Sequence, residues 1–197
     1  MSKAILMSIN PRWCELIARG EKTIEVRKTR PKLETPFKVY IYMTAGDASY
    51  PVTINGAQYT CHNNGGKVVI GEFVCRNIRC NHVSNLIVKE DAEATLRGTC
   101  LTKKEVYDYI GYKFGELIYA KPNLFYCWKI SDLMIYDEPK ELRKFKKPCK
   151  STAEYEGEIY EDCLNCDWCI DDDYGMRCDR SITRPPQSWC YVEEVEG

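Results

Sequence analysis

A lysine, a glutamate and an arginine lie within six residues in the segment GEKTIEVR, which begins at Gly20. Lys22 supplies an ammonium, Glu25 a carboxylate and Arg27 a guanidinium. Cations of this kind bind phosphate, and a lysine beside a carboxylate serves acid–base and electrostatic catalysis. The alternative is a solvated ion pair worth less than about 1 kcal/mol. We take all three residues as candidates for binding, and Lys22 and Glu25 as candidates for catalysis.

A short helix followed by a strand is predicted to position these charges. Asn10 is a suitable N-cap for the helix, and Gly20 suits the position just after its end. After the glycine, apolar and polar residues alternate with the period of a strand, so Glu25 and Arg27 point to one face. Lys22 lies at the junction of the two elements. The polar side chains would then project from rigid backbone beside a core.

The pattern G-x-K-x-x-E-x-R, after the strand Ala4–Ile9 and the helix Asn10–Arg19, resembles the activating-signal-cointegrator homology (ASCH) domain. ASCH domains belong to the PUA-like β-barrels, and the resemblance covers residues 3–136. It implies an α+β fold, a mixed β-barrel with two or three short helices and a cleft beside the first helix. The chain resembles a bacterial or phage-type member with a Cys-rich C-terminal insertion. The implied ligand is RNA or a nucleotide, and the binding candidates are Ser8, Trp13, Lys22, Glu25, Arg27, Arg184 and Gln187.

The resemblance also implies an alternative activity. Some bacterial members resemble amidohydrolases that deacylate N4-acetylcytidine, with the motif lysine as a catalytic group. Those hydrolases carry a threonine at the position of Glu25. In this alternative Lys22 would act as a general base or electrostatic catalyst, and Glu25 would orient a water molecule. RNA cleavage in the same cleft, and a protein-binding role for the Cys-rich segment, are further alternatives.

Four cysteines near the C-terminus have a spacing found in metal sites. Three of them form a C-x-x-C-x-x-C run, and the fourth follows nine residues later. Thiolates at this spacing can converge on one tetrahedral Zn²⁺, which would order a polar segment that has little core of its own. An iron–sulfur cluster, free thiols and disulfides remain alternatives. The candidate zinc ligands are Cys163, Cys166, Cys169 and Cys178.

The charge of the chain is divided between two parts. Residues 1–147 carry 24 Lys and Arg against 16 Asp and Glu, whereas residues 148–197 carry 4 against 13. A basic body favours a polyanionic partner, although opposite charges that pair within one fold would give the same totals. No apolar run is long enough for a membrane span, and the first strand follows Met1 too closely for a secretory leader. We therefore expect a cytoplasmic protein with no membrane partner and mostly reduced or metal-bound cysteines.

Three parts are predicted along the chain. Residues 1–145 form the barrel, residues 146–183 an acidic Cys-rich insertion of irregular structure, and residues 184–197 a strand that returns to the barrel. Strands are predicted at Phe37–Thr44, Lys67–Arg79 and Leu124–Tyr136 from their β-branched and aromatic content. Thr102 and Glu105 form a capping box for a helix that ends at Gly111. The oligomeric state is left open by the sequence.

Overall fold

The computed structural model describes residues 2–45, 51–59, 67–113, 123–149, 152–155, 158–161, 169–172, 175–178 and 180–195. Side chains are described throughout these ranges except within 152–178. The predicted cysteine ligands at 163 and 166 lie outside the described residues. The α+β class predicted from the sequence is confirmed, with short helices set around a mixed sheet.

Six strands form the main sheet, which is mixed rather than purely antiparallel. The six strands are β1 (Lys3–Ile9), β2 (Ile24–Arg27), β3 (Phe37–Met43), β6 (Val68–His82), β7 (Leu124–Glu141) and β12 (Trp189–Glu193). Their order in the sheet is β12-β1-β3-β6-β7-β2, with β1 and β3 parallel and every other neighbouring pair antiparallel.

In the part of the chain that the structure describes, three two-stranded hairpins lie outside the main sheet. The first turns at Asn55 and Gly56, both with positive φ, a conformation that Asn and Gly adopt readily in tight hairpins. The hairpin strands are β4 (Val52–Ile54) with β5 (Ala57–Tyr59), β8 (Thr152–Tyr155) with β9 (Glu158–Glu161), and β10 (Cys169–Asp172) with β11 (Gly175–Cys178).

The helices begin and end where local sequence signals place them. Asn10 caps α1 (Pro11–Ala18) by accepting a hydrogen bond from the Arg12 amide. Thr102 and Glu105 form the predicted capping box of α3 (Lys103–Ile110), and Gly111 ends that helix in the left-handed conformation. The third helix is α2 (Lys89–Leu96), and 3-10 turns span Val83–Leu86 and Leu142–Lys144.

The two longest strands, β6 and β7, exceed their predicted lengths. Register shifts interrupt their pairing at three places, between Val69 and Gly71, Glu72 and Val74, and Cys75 and Ile78. Such bulges bend and twist a strand while its pairing continues. Both strands therefore continue past polar residues at which a regular strand would end. At Gly71 an added Cβ would lie 2.4 Å from the Met134 carbonyl oxygen, so the close approach of β6 to β7 at this position requires glycine.

Alternation along the strands separates three buried clusters. The largest fills the concave side of the sheet, where Ile5, Met7 and Trp128 pack with the apolar side of α1. A second covers the other face of β1 and β3, including Leu6, Tyr42, Phe145 and Ile182. The third joins the outer face of β2 and β7 to α2 and α3. Ile24 and Val26 belong to that third cluster, so the alternate residues of β2, Glu25 and Arg27, face inward.

The C-terminal strand pairs with the N-terminal one. In β12, Trp189 lies opposite Met7 and Glu193 opposite Lys3. The Trp189 ring lies 6.1 Å from that of Trp128. Arg27 at the end of β2 contacts Ser188 just before β12. The two edge strands of the sheet therefore approach each other, which means that the sheet is curled. Within the described residues, no helix has the length and apolar character needed to cross a bilayer.

Candidate functional site

Lys22 is the most deeply buried charged residue described, with an exposed fraction of 2%. Its Nζ donates to the carbonyl oxygens of Thr99 at 2.5 Å and Ile24 at 3.0 Å. The same atom lies 3.3 Å from Oε2 of Glu25 and 5.2 Å from the centre of the Trp13 ring. Two carbonyls and one carboxylate therefore surround the ammonium. Lys22 fixes the position of Glu25 by charge.

Glu25 and Arg27 complete a buried triad with Lys22. Oε1 of Glu25 lies 3.0 Å from Nη2 of Arg27, and both residues are 6% exposed. Nη2 also donates to the Ser8 carbonyl at 2.7 Å, whereas the contacts of Nη1 within the described residues are long, at 3.4 Å to Ser188. One carboxylate therefore lies between an ammonium and a guanidinium. The three side chains that the sequence predicted to converge do so.

Two backbone connections hold the triad in place. The amide of Lys22 donates to the Leu16 carbonyl, which fixes it to the last turn of α1. The amides of Thr23 and Ile24 both donate to the Gly98 carbonyl, and this places the next carbonyl, that of Thr99, against Nζ. Gly98 has φ +77°, and an added Cβ would lie 2.4 Å from Oγ1 of Thr23. Only glycine fits this approach without strain.

Three buried polar atoms in this region have no hydrogen-bond partner among the described residues. They are Oε2 of Glu25, which faces Lys22 as an ion pair only, Nε of Arg27 and Nε1 of Trp128. Trp128 lies directly opposite Glu25 in the β2–β7 register. Most buried polar groups in proteins are paired, and orphan atoms are typical of places where water or a ligand binds. The triad region thus holds two buried donors without a hydrogen bond among the described residues, and one carboxylate oxygen whose contact there is the ion pair with Lys22.

Aromatic and basic side chains surround the triad. Trp13 contacts two cations, because the Arg12 guanidinium lies 4.5 Å from its ring centre in addition to Nζ of Lys22. Trp189 packs edge-on against Tyr191 and donates from Nε1 to the Thr29 hydroxyl. That threonine lies in an exposed loop that also carries three cations. They are Lys28, Arg30 and Lys32.

The remaining predicted binding residues lie at different distances from the triad. Ser8 contributes its carbonyl to Arg27, while its hydroxyl donates to the Pro186 carbonyl at 2.6 Å. Arg184 and Gln187 are exposed, and neither forms a hydrogen bond or ion pair with the triad within the described residues. Ser188, next to Gln187, contacts the triad instead.

Sequence reasoning missed three contributors to the site, Thr99, Trp128 and Ser188. Thr99 and Ser188 are 77 and 161 residues from their partners, so no pattern near Lys22 or Arg27 in the sequence indicates them. The tail motif of prolines followed by Gln, Ser and Trp was the available signal for Ser188.

The cysteines divide by location. Cys169 and Cys178 lie directly opposite each other in the β10–β11 register, but side chains there lie outside the described set. Among the described residues, no group of three His, Cys, Asp or Glu side chains forms a metal site. Zinc binding by Cys163, Cys166, Cys169 and Cys178 therefore stays a prediction.

The described cysteines of the barrel include three buried ones. Burial raises the pKa of Cys75 and of Cys127 to about 11, and raises that of Cys14 well above its usual value. A thiol is nucleophilic only as a thiolate, so these residues serve packing. Cys14, which lies in α1 close to the triad, is thereby disfavoured as a nucleophile.

Solved structures with the same fold support the resemblance found in the motif. The crystal structure of ASCH from Zymomonas mobilis superposes with a TM-score of 0.53 at 16% identity, covering 97% of this chain and 88% of that one. A serine-to-alanine variant of that protein gives a TM-score of 0.53 at 15% identity, with 97% and 89% covered. No family model matches the sequence, and no curated protein matches it significantly. The chain has the ASCH-type, PUA-like fold.

Proposed function

We propose that this protein binds RNA or a nucleotide through the Lys22–Glu25–Arg27 triad. The observation that supports the proposal is a pair of buried donors without a hydrogen bond among the described residues, on Arg27 and Trp128, beside a carboxylate oxygen of Glu25 that contacts Lys22 as an ion pair. A nucleobase edge carries donors and acceptors side by side; its acceptors would suit the two donors, and an exocyclic amine would suit the Glu25 oxygen that faces Lys22. Aromatic residues near the triad offer stacking surfaces of the kind used by single-strand binders.

Entry to the triad requires a change in the segment that covers it. The unpaired atoms are buried, and the contacts from Arg27 Nη1 to Ser188 are the longest in the cluster at 3.4 Å. A bound base would replace these weak contacts with shorter ones to Arg27. The exposed cations Lys28, Arg30 and Lys32 in the adjoining loop would then meet the phosphates.

Equilibrium binding of a fluorescent single-stranded RNA hexanucleotide of mixed sequence tests the proposal. Arg27→Gln should weaken binding at least roughly ten-fold, since it removes a charge-assisted donor. Lys89→Gln is the matched control, because Lys89 is exposed on α2 and its replacement removes the same charge. Affinity should also fall steeply with salt. Equal affinities for both variants, or binding that ignores salt, would contradict the proposal.

A second candidate, amide hydrolysis on an acylated nucleoside such as N4-acetylcytidine, is favoured by one observation. Oε2 of Glu25 has no hydrogen bond among the described residues, so this carboxylate could accept a proton from an attacking water. Lys22, held by two backbone carbonyls, would stabilise developing negative charge. The test is release of acetate from N4-acetylcytidine by the wild type and by Glu25→Gln. Equal rates for the two proteins would remove this candidate.

A further inference from the structure

A cavity of about 430 Å³ opens on the outer face of the sheet, apart from the triad. Tyr42 and Thr44 line it from the end of β3, Lys67 from the start of β6, and Arg143 from the 3-10 turn after β7. Thr183 contributes from the segment that leads to β12. This volume lies within the range of small-ligand sites in proteins, which is roughly 300–1,000 Å³.

The charges of this cavity fit an anion. Lys67 and Arg143 are exposed and form no ion pair within the described residues, and the one acidic lining residue, Glu141, is likewise unpaired there. The lining therefore carries a surplus of one positive charge. Burial raises the pKa of Tyr42, so its hydroxyl stays protonated and able to donate. Two cations with neighbouring hydroxyl groups are a typical environment for phosphate.

Short connections link this cavity to the triad. Ser8 and Tyr42 are register partners in the parallel strands β1 and β3, which lie about 4.8 Å apart. The Ser8 carbonyl accepts from Arg27, whereas Tyr42 lines the cavity. The segment 182–188 also touches both places, because Thr183 lines the cavity and Ser188 contacts Arg27. The stretch between them spans at most roughly 18 Å of extended chain.

We infer that the cavity is a second subsite, which holds a backbone phosphate of a single-stranded oligonucleotide whose nearby base occupies the triad. This inference rests on the proposed function and names its ligand class, an oligonucleotide rather than a free nucleoside. The segment 182–188 would lie along the strand between the two subsites. Lys67 and Arg143 would supply the charges that position the phosphate.

The test compares two double variants with equal charge changes. Lys67→Gln with Arg143→Gln removes both cavity cations. Lys144→Gln with Lys146→Gln removes two exposed cations from the same stretch of chain, neither of which lines the cavity. Binding of the RNA hexanucleotide and of cytidine is measured at several salt concentrations. In parallel, inorganic phosphate is titrated into the wild type while the side-chain Nε–H resonance of Arg143 is followed by NMR.

The cavity variant should bind the hexanucleotide roughly ten-fold more weakly, and its salt slope should fall by about 0.7 for each phosphate that the protein no longer neutralises. The control should bind less than about two-fold more weakly, and cytidine binding should be unchanged in both. Equal weakening in the two variants would overturn the inference. If the wild type binds neither RNA nor cytidine, the proposed function fails. The phosphate titration then tests the cavity alone. If the Arg143 resonance does not change, the cavity is not an anion site; a saturable shift of this resonance supports one.

Discussion

Two buried ionic groups in this fold differ in how completely their polar atoms are paired. Arg180 and Glu193 form an ion pair with exposed fractions of 5% and 8%, and Arg180 also donates to the Lys147 carbonyl. The Lys147 amide donates to the Arg180 carbonyl and the Glu193 amide to the Lys146 carbonyl, so backbone hydrogen bonds join the same segments around the pair. In contrast, Glu25 and Arg27 each keep one buried polar atom without a hydrogen bond among the described residues.

This difference separates a structural pair from a binding site. A fully paired ion pair has no polar capacity left for a ligand, and removing one partner leaves an uncompensated charge in the interior. A triad with a buried donor that lacks a hydrogen bond carries a desolvation cost that a ligand can relieve. We therefore expect changes at Arg180 to act mainly on stability, and changes in the triad to act on both stability and binding.

The largest stability effect is expected for Arg180→Met, which should lower the free energy of unfolding by about 3–5 kcal/mol by leaving Glu193 buried and unpaired. Urea denaturation measures this change. Arg184→Met is the matched control, because Arg184 is exposed nearby and should change stability by less than about 0.5 kcal/mol. At temperatures where the variant is folded, its RNA affinity should equal that of the wild type. A selective loss of RNA affinity would place Arg180 in the binding site and contradict its assignment as part of a purely structural pair.

The second prediction concerns the loop that supplies the acceptor for Lys22. Gly98→Ala should cost about 2–3 kcal/mol, since it combines a positive φ with a Cβ that would lie 2.4 Å from Thr23 Oγ1. Gly111→Ala is the control, with φ +78° and no atom within 4 Å, and should cost about 1 kcal/mol. Thermal and urea unfolding give the difference. RNA affinity should fall only for Gly98→Ala, because only this loop holds the Thr99 carbonyl against Nζ.

The features of this site that the sequence predicts are those whose interacting residues lie close together along the chain. The α1 cap, the α3 capping box and the alternation in β2 depend on neighbours within a few residues, so they were predicted correctly. Alternation also separated Glu25 and Arg27 from Ile24 and Val26. It did not show that the polar face would be the inner one, because that depends on α2 and α3 covering the apolar face.

The burial of the triad also depends on non-local groups. Thr99 and Ser188 reach Lys22 and Arg27 only after the sheet has curled, and no periodicity within β2 indicates them. The lengths of β6 and β7 were underestimated for a related reason. Bulges such as that at Gly71 depend on the facing strand. The polar residues near a bulge therefore do not end the strand, although in the sequence they resemble a strand end.

The third prediction tests the triad itself. Glu25→Gln keeps the shape of the side chain but removes the charge that Lys22 and Arg27 share. It should cost about 1.5–2 kcal/mol of stability, less than Arg180→Met, because both cations keep backbone carbonyl acceptors. RNA affinity should fall at least roughly ten-fold at a temperature where the variant is folded. Unchanged affinity would make the triad a structural group like the Arg180–Glu193 pair.

The smallest effect is expected from the buried thiols at high pH. Their pKa of about 11 in the fold exceeds the ordinary thiol value of 9.0, so the unfolded chain loses these protons first. Their contribution to stability is therefore complete below pH 9.0 and declines as pH rises towards about 11. Urea unfolding across this range should show a shallower decline for Cys127→Ala than for the exposed control Cys80→Ala. Equal slopes would show that Cys127 titrates normally in the fold.

The most direct measurement of the central claim is an NMR titration of the unpaired N–H groups in the triad region. The chain has 4 tryptophans, so the indole N–H of Trp128 can be assigned with a Trp128→Phe variant, and the Nε–H of Arg27 with Arg27→Lys. On addition of the RNA hexanucleotide, both resonances should shift together and saturate with the affinity measured by fluorescence. If the RNA binds while both resonances stay unchanged, the buried triad is not the binding site.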